Sequence, residues 1–173
     1  MGDAEDTEDA EGEILRGLTE TVIGAAMEVH SVLGPGFVES FYEQALCVEL
    51  AQRAIAFSRQ AGFPVFYKGM VLGEARADLV VDGRLLVELK ATAGYAPIHL
   101  AQVLSYLKAS GLTLGLLIHF NVPSLRFGIR RVVRTPAPGP SETSVSSASS
   151  SPPFQLPHGP GLVEGDGPEG PSG

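Results

Sequence analysis

Apolar side chains recur at helical spacing from residue 14 to residue 33, at Leu18, Val22, Ala25, Val29 and Val32, and Gly-Pro-Gly at 34–36 ends the run. The same period resumes from Val38 to about Ile55, predicting a second helix. The period then changes. The stretch FPVFYKGMVLGEARADLVVDGRLLVELKA reads as three strands, joined by turns at Lys68-Gly69 and Asp82-Gly83. Pro97 suits the first turn of a third helix, and Gly111 closes it. On that helix Leu100, Val103, Leu104 and Leu107 form the expected core face, while His99, Gln102 and Tyr106 share another. TLGLLIHF is a buried strand and LRFGIRRVV a last one. The predicted order is α-α-β-β-β-α-β-β.

Charge divides the chain into three parts. The net charge of −8 belongs to its ends: residues 3–13 hold seven acids and no base, and residues 135–173 hold four acids and no base. Residues 14–134 keep nine acids against all twelve bases. A domain of that sign can approach a polyanion, although so small an excess is also unremarkable for a neutral-surfaced domain. We expect residues 1–13 to be an acidic disordered arm and 14–134 the folded domain. Residues 135–173, which include SETSVSSASSSPP, read as a disordered Ser/Pro/Gly-rich tail. The single cysteine, Cys47, excludes an internal disulfide and a Cys-cluster zinc site, and its helical setting suits a small buried hydrophobe. The acidic start does not resemble a secretory signal, and no apolar stretch reaches 18 residues. The expected location is cytoplasmic, with no membrane partner. Oligomeric state is not legible from these patterns.

The strands around Asp82-Gly83 pose the chemical question. Ala77, Leu79 and Val81 share one face by alternation, as do Leu85, Val87 and Leu89 on the partner strand. The opposite faces carry Arg76, Asp78 and Val80, and Leu86, Glu88 and Lys90. A two-residue turn would set Asp78 across from Val87 and mix the faces. A three-residue loop with Gly83 in the left-handed region avoids this and brings Asp78, Glu88 and Lys90 to one side. Two adjacent carboxylates repel unless a cation lies between them. A hard divalent metal is one occupant. A salt-bridge patch, with Lys90 and Arg76 neutralising the acids, is the other account. Glu39 shares a helical face with Tyr42, Leu46 and Leu50, and a carboxylate on an apolar stripe needs a partner. Its plainer explanation is a first-turn Glu favoured by the helix dipole.

The spacing D-x9-E-x-K on consecutive strands, at Asp78, Glu88 and Lys90, resembles the PD-(D/E)XK nuclease superfamily. GFVESFYEQAL, with Gly36, Glu39 and Tyr42, is similar more narrowly to the bacterial GxxExxY proteins, as are EARADLVV, VELKA and HLAQVLSYLKASGLTLGLLIHF. The resemblance spans roughly residues 14–133. It implies an α/β fold with an α-β-β-β-α-β core, a mixed central sheet flanked by helices, and one extra N-terminal helix. It also implies a nuclease using Mg²⁺ or Mn²⁺ and acting on nucleic acid, DNA in preference to RNA. Asp78, Glu88 and the Leu89 carbonyl would hold the metal, with Glu39 as an outer acid. Lys90 would orient or activate the attacking water, and Gln102 would position substrate or water, as in the Q-x-x-x-Y element of RecB-like members. His119 stands where that family more often has Asn. Two rival readings stay open: a non-catalytic nucleic-acid-binding module that retains the fold, and an interaction protein working through its arm and tail.

Overall fold

The computed structural model describes residues 3–94 and 96–135, with side chains from residue 10 onward. In chain order the elements are α1 (Asp3–Leu33), α2 (Glu39–Gln52), β1 (Phe57–Tyr67), β2 (Met70–Val81), β3 (Leu85–Lys90), α3 (Pro97–Ser110), β4 (Leu114–His119) and β5 (Ile129–Val133). One sheet holds the five strands in the order β1-β2-β3-β4-β5. β3 and β4 are parallel and every other pair is antiparallel, so the sheet is mixed. The parallel pair needs a crossover, and α3 supplies it.

Helices cover both faces. Val22, Ala25 and Val29 of α1 and Tyr42, Leu46 and Leu50 of α2 pack on Leu79, Val81, Leu85, Val87 and Leu89, with Leu116 and Ile118 beside them. Val103 and Leu107 of α3 pack on Leu86, Leu117 and Val132 across the other face. That second contact is close: a Cβ at Gly115 would stand 2.8 Å from Val103 Cγ1. Cys47 is free and buried in the first layer, as its helical setting predicted, and burial raises its thiol pKa. No described helix is long and apolar enough to cross a membrane.

The β2–β3 connection has the three-residue form. Leu79, Val80 and Val81 pair with Val87, Leu86 and Leu85, leaving Asp82, Gly83 and Arg84 in the loop. Gly83 has φ 65° and Asp82 φ 51°, and the Arg84 N–H closes the loop on the Val81 carbonyl at 3.0 Å. This pairing, continued by one residue, sets Asp78 across from Glu88.

Several details differ from the expectation. β1 begins at Phe57, six residues before the stretch read as its strand. α1 begins at Asp3 and not at Ile14, so the acidic stretch expected to be a disordered arm continues the helix from residue 3. Acids in the first turns favour a helix N-terminus. Residues 125–127 form a 3-10 turn before β5, not the first part of a strand. Val32 and Leu104 are exposed, because the buried stripes of α1 and α3 are narrower than their apolar patterns. Ala77 joins the α3-side cluster, although strict alternation groups it with Leu79 and Val81. Between these residues the β1–β2 ladder pairs Arg59 with Leu79 and Ala61 with Ala77 but skips Asp78 and Gln60, whose φ is 49°. The tail expected from residue 135 lies, beyond that residue, outside the described residues.

Candidate active site

β3 ends in Glu88, Leu89 and Lys90, and β2 stops pairing with it beyond Leu79. The backbone groups freed there meet side chains instead. The Leu89 N–H donates to Asp78 Oδ2 at 2.7 Å. Asp78 Oδ1 accepts from Gln60 Nε2 at 3.3 Å. Lys90 Nζ donates to Glu88 Oε1 at 2.7 Å. Glu88 is only 3% exposed, and its Oε2 is buried without a hydrogen-bond partner among the described residues.

Burial and mutual repulsion set the charge states. Burial, then the neighbouring Asp78 carboxylate, pushes Glu88 up to about 7, with Lys90 and, more weakly, the Asp78 backbone N–H pulling the other way. Asp78 is raised mainly by burial, against the Leu89 N–H and Lys90. Half-buried Glu39 is raised by burial, and it feels both Lys90 and Asp78. Burial acts to lower the Lys90 pKa, but the bond to Glu88 and the charges of Glu88, Glu39 and Asp78 outweigh it, so the ammonium is held above its usual range. Glu39, Asp78, Glu88 and Lys90 are therefore one electrostatic unit, although Glu39 is distant in sequence. Arg76, the other cation considered for this face, pairs with Glu74.

The remaining residues fall out differently. Gln102 bonds the Tyr106 hydroxyl at 2.7 Å, so the described hydrogen bond of this side chain runs along α3 and not to a carboxylate. Tyr42 is fully buried and serves the scaffold. Its hydroxyl donates to the Gly34 carbonyl at 2.7 Å and accepts the Phe37 N–H at 3.1 Å, and its ring stacks on Phe120 with centroids 4.4 Å apart. It thereby ties down the loop that sets the start of α2, where Glu39 stands. His119 is buried at the end of β4, opposite Lys90, and its Nε2 bonds the Thr92 carbonyl at 2.8 Å. His99 lies within reach of the charges of Lys90 and His119, and burial, followed by those charges, lowers its pKa.

Two participants are absent from the sequence-based expectation. Glu43, one turn after Glu39 and 8% exposed, accepts from Arg59 Nε and from Gln60 Nε2, each at 3.0 Å. A carboxylate between Tyr42 and Leu46 on an apolar helix face was a usable signal, the same one that singled out Glu39. Gln60 was missed because the stretch read as the first strand starts at Phe63, whereas β1 starts at Phe57; Gly62, inside that strand, was the available sign of an irregularity.

Asp78, Glu88 and the backbone between Glu88 and Lys90 thus converge where two strands part, with an unsatisfied buried oxygen, a fixed ammonium and an outer carboxylate. Searches among curated proteins and among solved structures gave no significant match. A family model does match, over residues 16–132, which includes every residue of the cluster. The chain belongs to the PD-(D/E)XK nuclease superfamily.

Proposed function

We propose that the chain is a cytoplasmic, metal-dependent phosphodiesterase that cuts nucleic acid, DNA in preference to RNA, and that within its superfamily it is a GxxExxY protein. The observation that carries this reading is the orphaned Glu88 Oε2, buried beside Asp78. A buried carboxylate oxygen without a donor is costly, and a cation removes the cost. Among the described residues no group of three or more His, Cys, Asp or Glu side chains is placed to hold a metal ion. Two carboxylates and one backbone carbonyl nevertheless suit Mg²⁺ or Mn²⁺, because Mg²⁺ usually retains several waters. Asp78, Glu88 and the Leu89 carbonyl would hold the ion, with Glu39 as an outer acid. When bound, it would supply Lewis acidity to the scissile phosphate and ease deprotonation of the attacking water.

The chain's own residues do the rest. Lys90 stays protonated, so it acts as a donor and not as a base. Held by Glu88 Oε1, its ammonium orients the attacking water and offsets charge on the oxygens of the pentacoordinate phosphorane. The Leu89 N–H keeps one Asp78 oxygen in place. Gln102 positions substrate or water from α3.

The test is a cleavage assay on single- and double-stranded DNA and RNA, with Mg²⁺, Mn²⁺ or a chelator. DNA should be cut only with metal, and Glu88→Gln and Lys90→Ala should both be inactive. Cleavage that survives in either variant, or in chelator, would falsify this reading.

A further inference from the structure

Gln60 sits inside β1 with φ 49°, in the left-handed region. The other non-glycine residues with positive φ among the described residues are Ala54, Lys68 and Asp82, and all three lie outside the strands and helices. A left-handed residue within a strand is unfavourable for any L side chain larger than Gly or Asn. Such strain persists where surrounding contacts hold it, and it gathers at functional sites. Here it coincides with the one skipped pair in that part of the ladder, Gln60 opposite Asp78.

The kink gives the side chain a specific task. Gln60 Nε2 donates to Glu43 Oε2 at 3.0 Å and to Asp78 Oδ1 at 3.3 Å. Both partners are carboxylates, which only accept when ionised. The amide must therefore present its nitrogen to both, and its orientation follows from the network. Glu43 is itself anchored by Arg59 on its other oxygen. On the far side, the Leu89 N–H holds Asp78 Oδ2 at 2.7 Å. The Asp78 carboxylate is gripped at both oxygens, by β3 backbone on one and by Gln60 on the other.

We propose that Gln60 is a positioning residue: locked by Glu43, its carboxamide fixes the plane of the Asp78 carboxylate for the reacting site. This rests on the reading of Asp78 as a metal ligand. Groups that orient a ligand from behind commonly contribute ten- to a hundredfold in affinity. They do so without touching substrate.

The experiment uses the full chain and Mn²⁺ alone, titrated calorimetrically, with thermal melts of the metal-free protein alongside. Gln60→Asn accepts the left-handed backbone and keeps the amide, but is one methylene too short to span Glu43 and Asp78. Gln60→Gly accepts the backbone and removes the side chain. Both should weaken Mn²⁺ binding about tenfold or more, with metal-free melting unchanged or raised. Glu43→Gln, which frees the orientation of the Gln60 amide, should weaken it in the same direction. A purely structural Gln60 gives the reverse pattern: lower melting points and an unaltered Mn²⁺ Kd. If one variant fails to fold, the other decides. Binding by the parent that is matched in both Gln60 variants overturns this proposal alone. No binding by the parent overturns the metal-site reading and takes this proposal with it.

Discussion

From Met70 to Arg76, β2 pairs only with β1, and nearly all its side chains are exposed. From Leu79 to Val81 it pairs on both sides, and every side chain is buried. Asp78 stands at the junction, next to the last residue that pairs with β3. The zipped half has its backbone groups satisfied by ladders and its side chains by the helix layers. The free half has solvent. Only at the junction does a backbone donor of β3, the Leu89 N–H, come free inside the protein and take a side-chain partner. The polar cluster occupies the boundary because that is where the sheet leaves hydrogen-bonding capacity available without exposing it fully to water.

The largest expected effect falls on chemistry at the boundary. Glu88→Gln and Lys90→Ala should each lower the cleavage rate at least about a thousandfold, equivalent to about 4 kcal/mol of barrier. A rate within tenfold of the parent in either variant would place the chemistry elsewhere.

The two halves of β2 should also differ in stability. Leu79→Ala empties a site buried between β2 and the α1–α2 layer and should cost about 2–5 kcal/mol in denaturant unfolding. Leu72→Ala, in the exposed half, should stay within about 0.5 kcal/mol. Equal losses would mean that the free half is covered in solution, and the contrast would fail.

A pH titration sharpens the picture at the junction. The folded Glu88 keeps its proton up to about pH 7, while its ordinary value is 4.5. Between those values the folded state binds more protons than the unfolded one. Stability from this group is therefore full below pH 4.5 and declines as pH rises to 7, by on the order of 2–3 kcal/mol without metal. Glu88→Gln should flatten this decline, and added Mn²⁺ should offset it in the parent. A parent whose unfolding free energy rises steadily from pH 4.5 to 7 would contradict the buried, repelled carboxylate.

The smallest effect concerns the ends. A chain trimmed to residues 14–134 should melt within about 5 degrees of the full chain, because chain termini bury little unless tied down. A broad, non-cooperative melt after trimming would show that the first turns of α1 or the segment after β5 belong to the folding unit.

Much of this arrangement is encoded in short windows. Helical period, a Pro at the start and a Gly after the end were enough for α3, and the Asp82-Gly83 turn with alternating neighbours was enough for the β2–β3 register. Those features depend on residues adjacent in sequence, where backbone preference and side-chain alternation act directly. The Asp78–Glu88 juxtaposition followed from that register. Glu39 was nominated by its apolar surroundings, but only the docking of α2 on the sheet brought it to Asp78 and Lys90. The same docking sent Tyr42, three residues on, to the scaffold, because a side chain at that offset faces Phe120 and the α1–α2 loop. Gln60 lay furthest from any local signal. Its backbone is left-handed although the residue is neither Gly nor Asn and lies inside a strand, and it is held by Glu43 and Asp78, which arrive from a helix and a neighbouring strand. Local sequence determined the elements and the register that pairs two carboxylates. Tertiary packing alone decided which further groups would hold them, since strain in one strand persists only through contacts supplied by others.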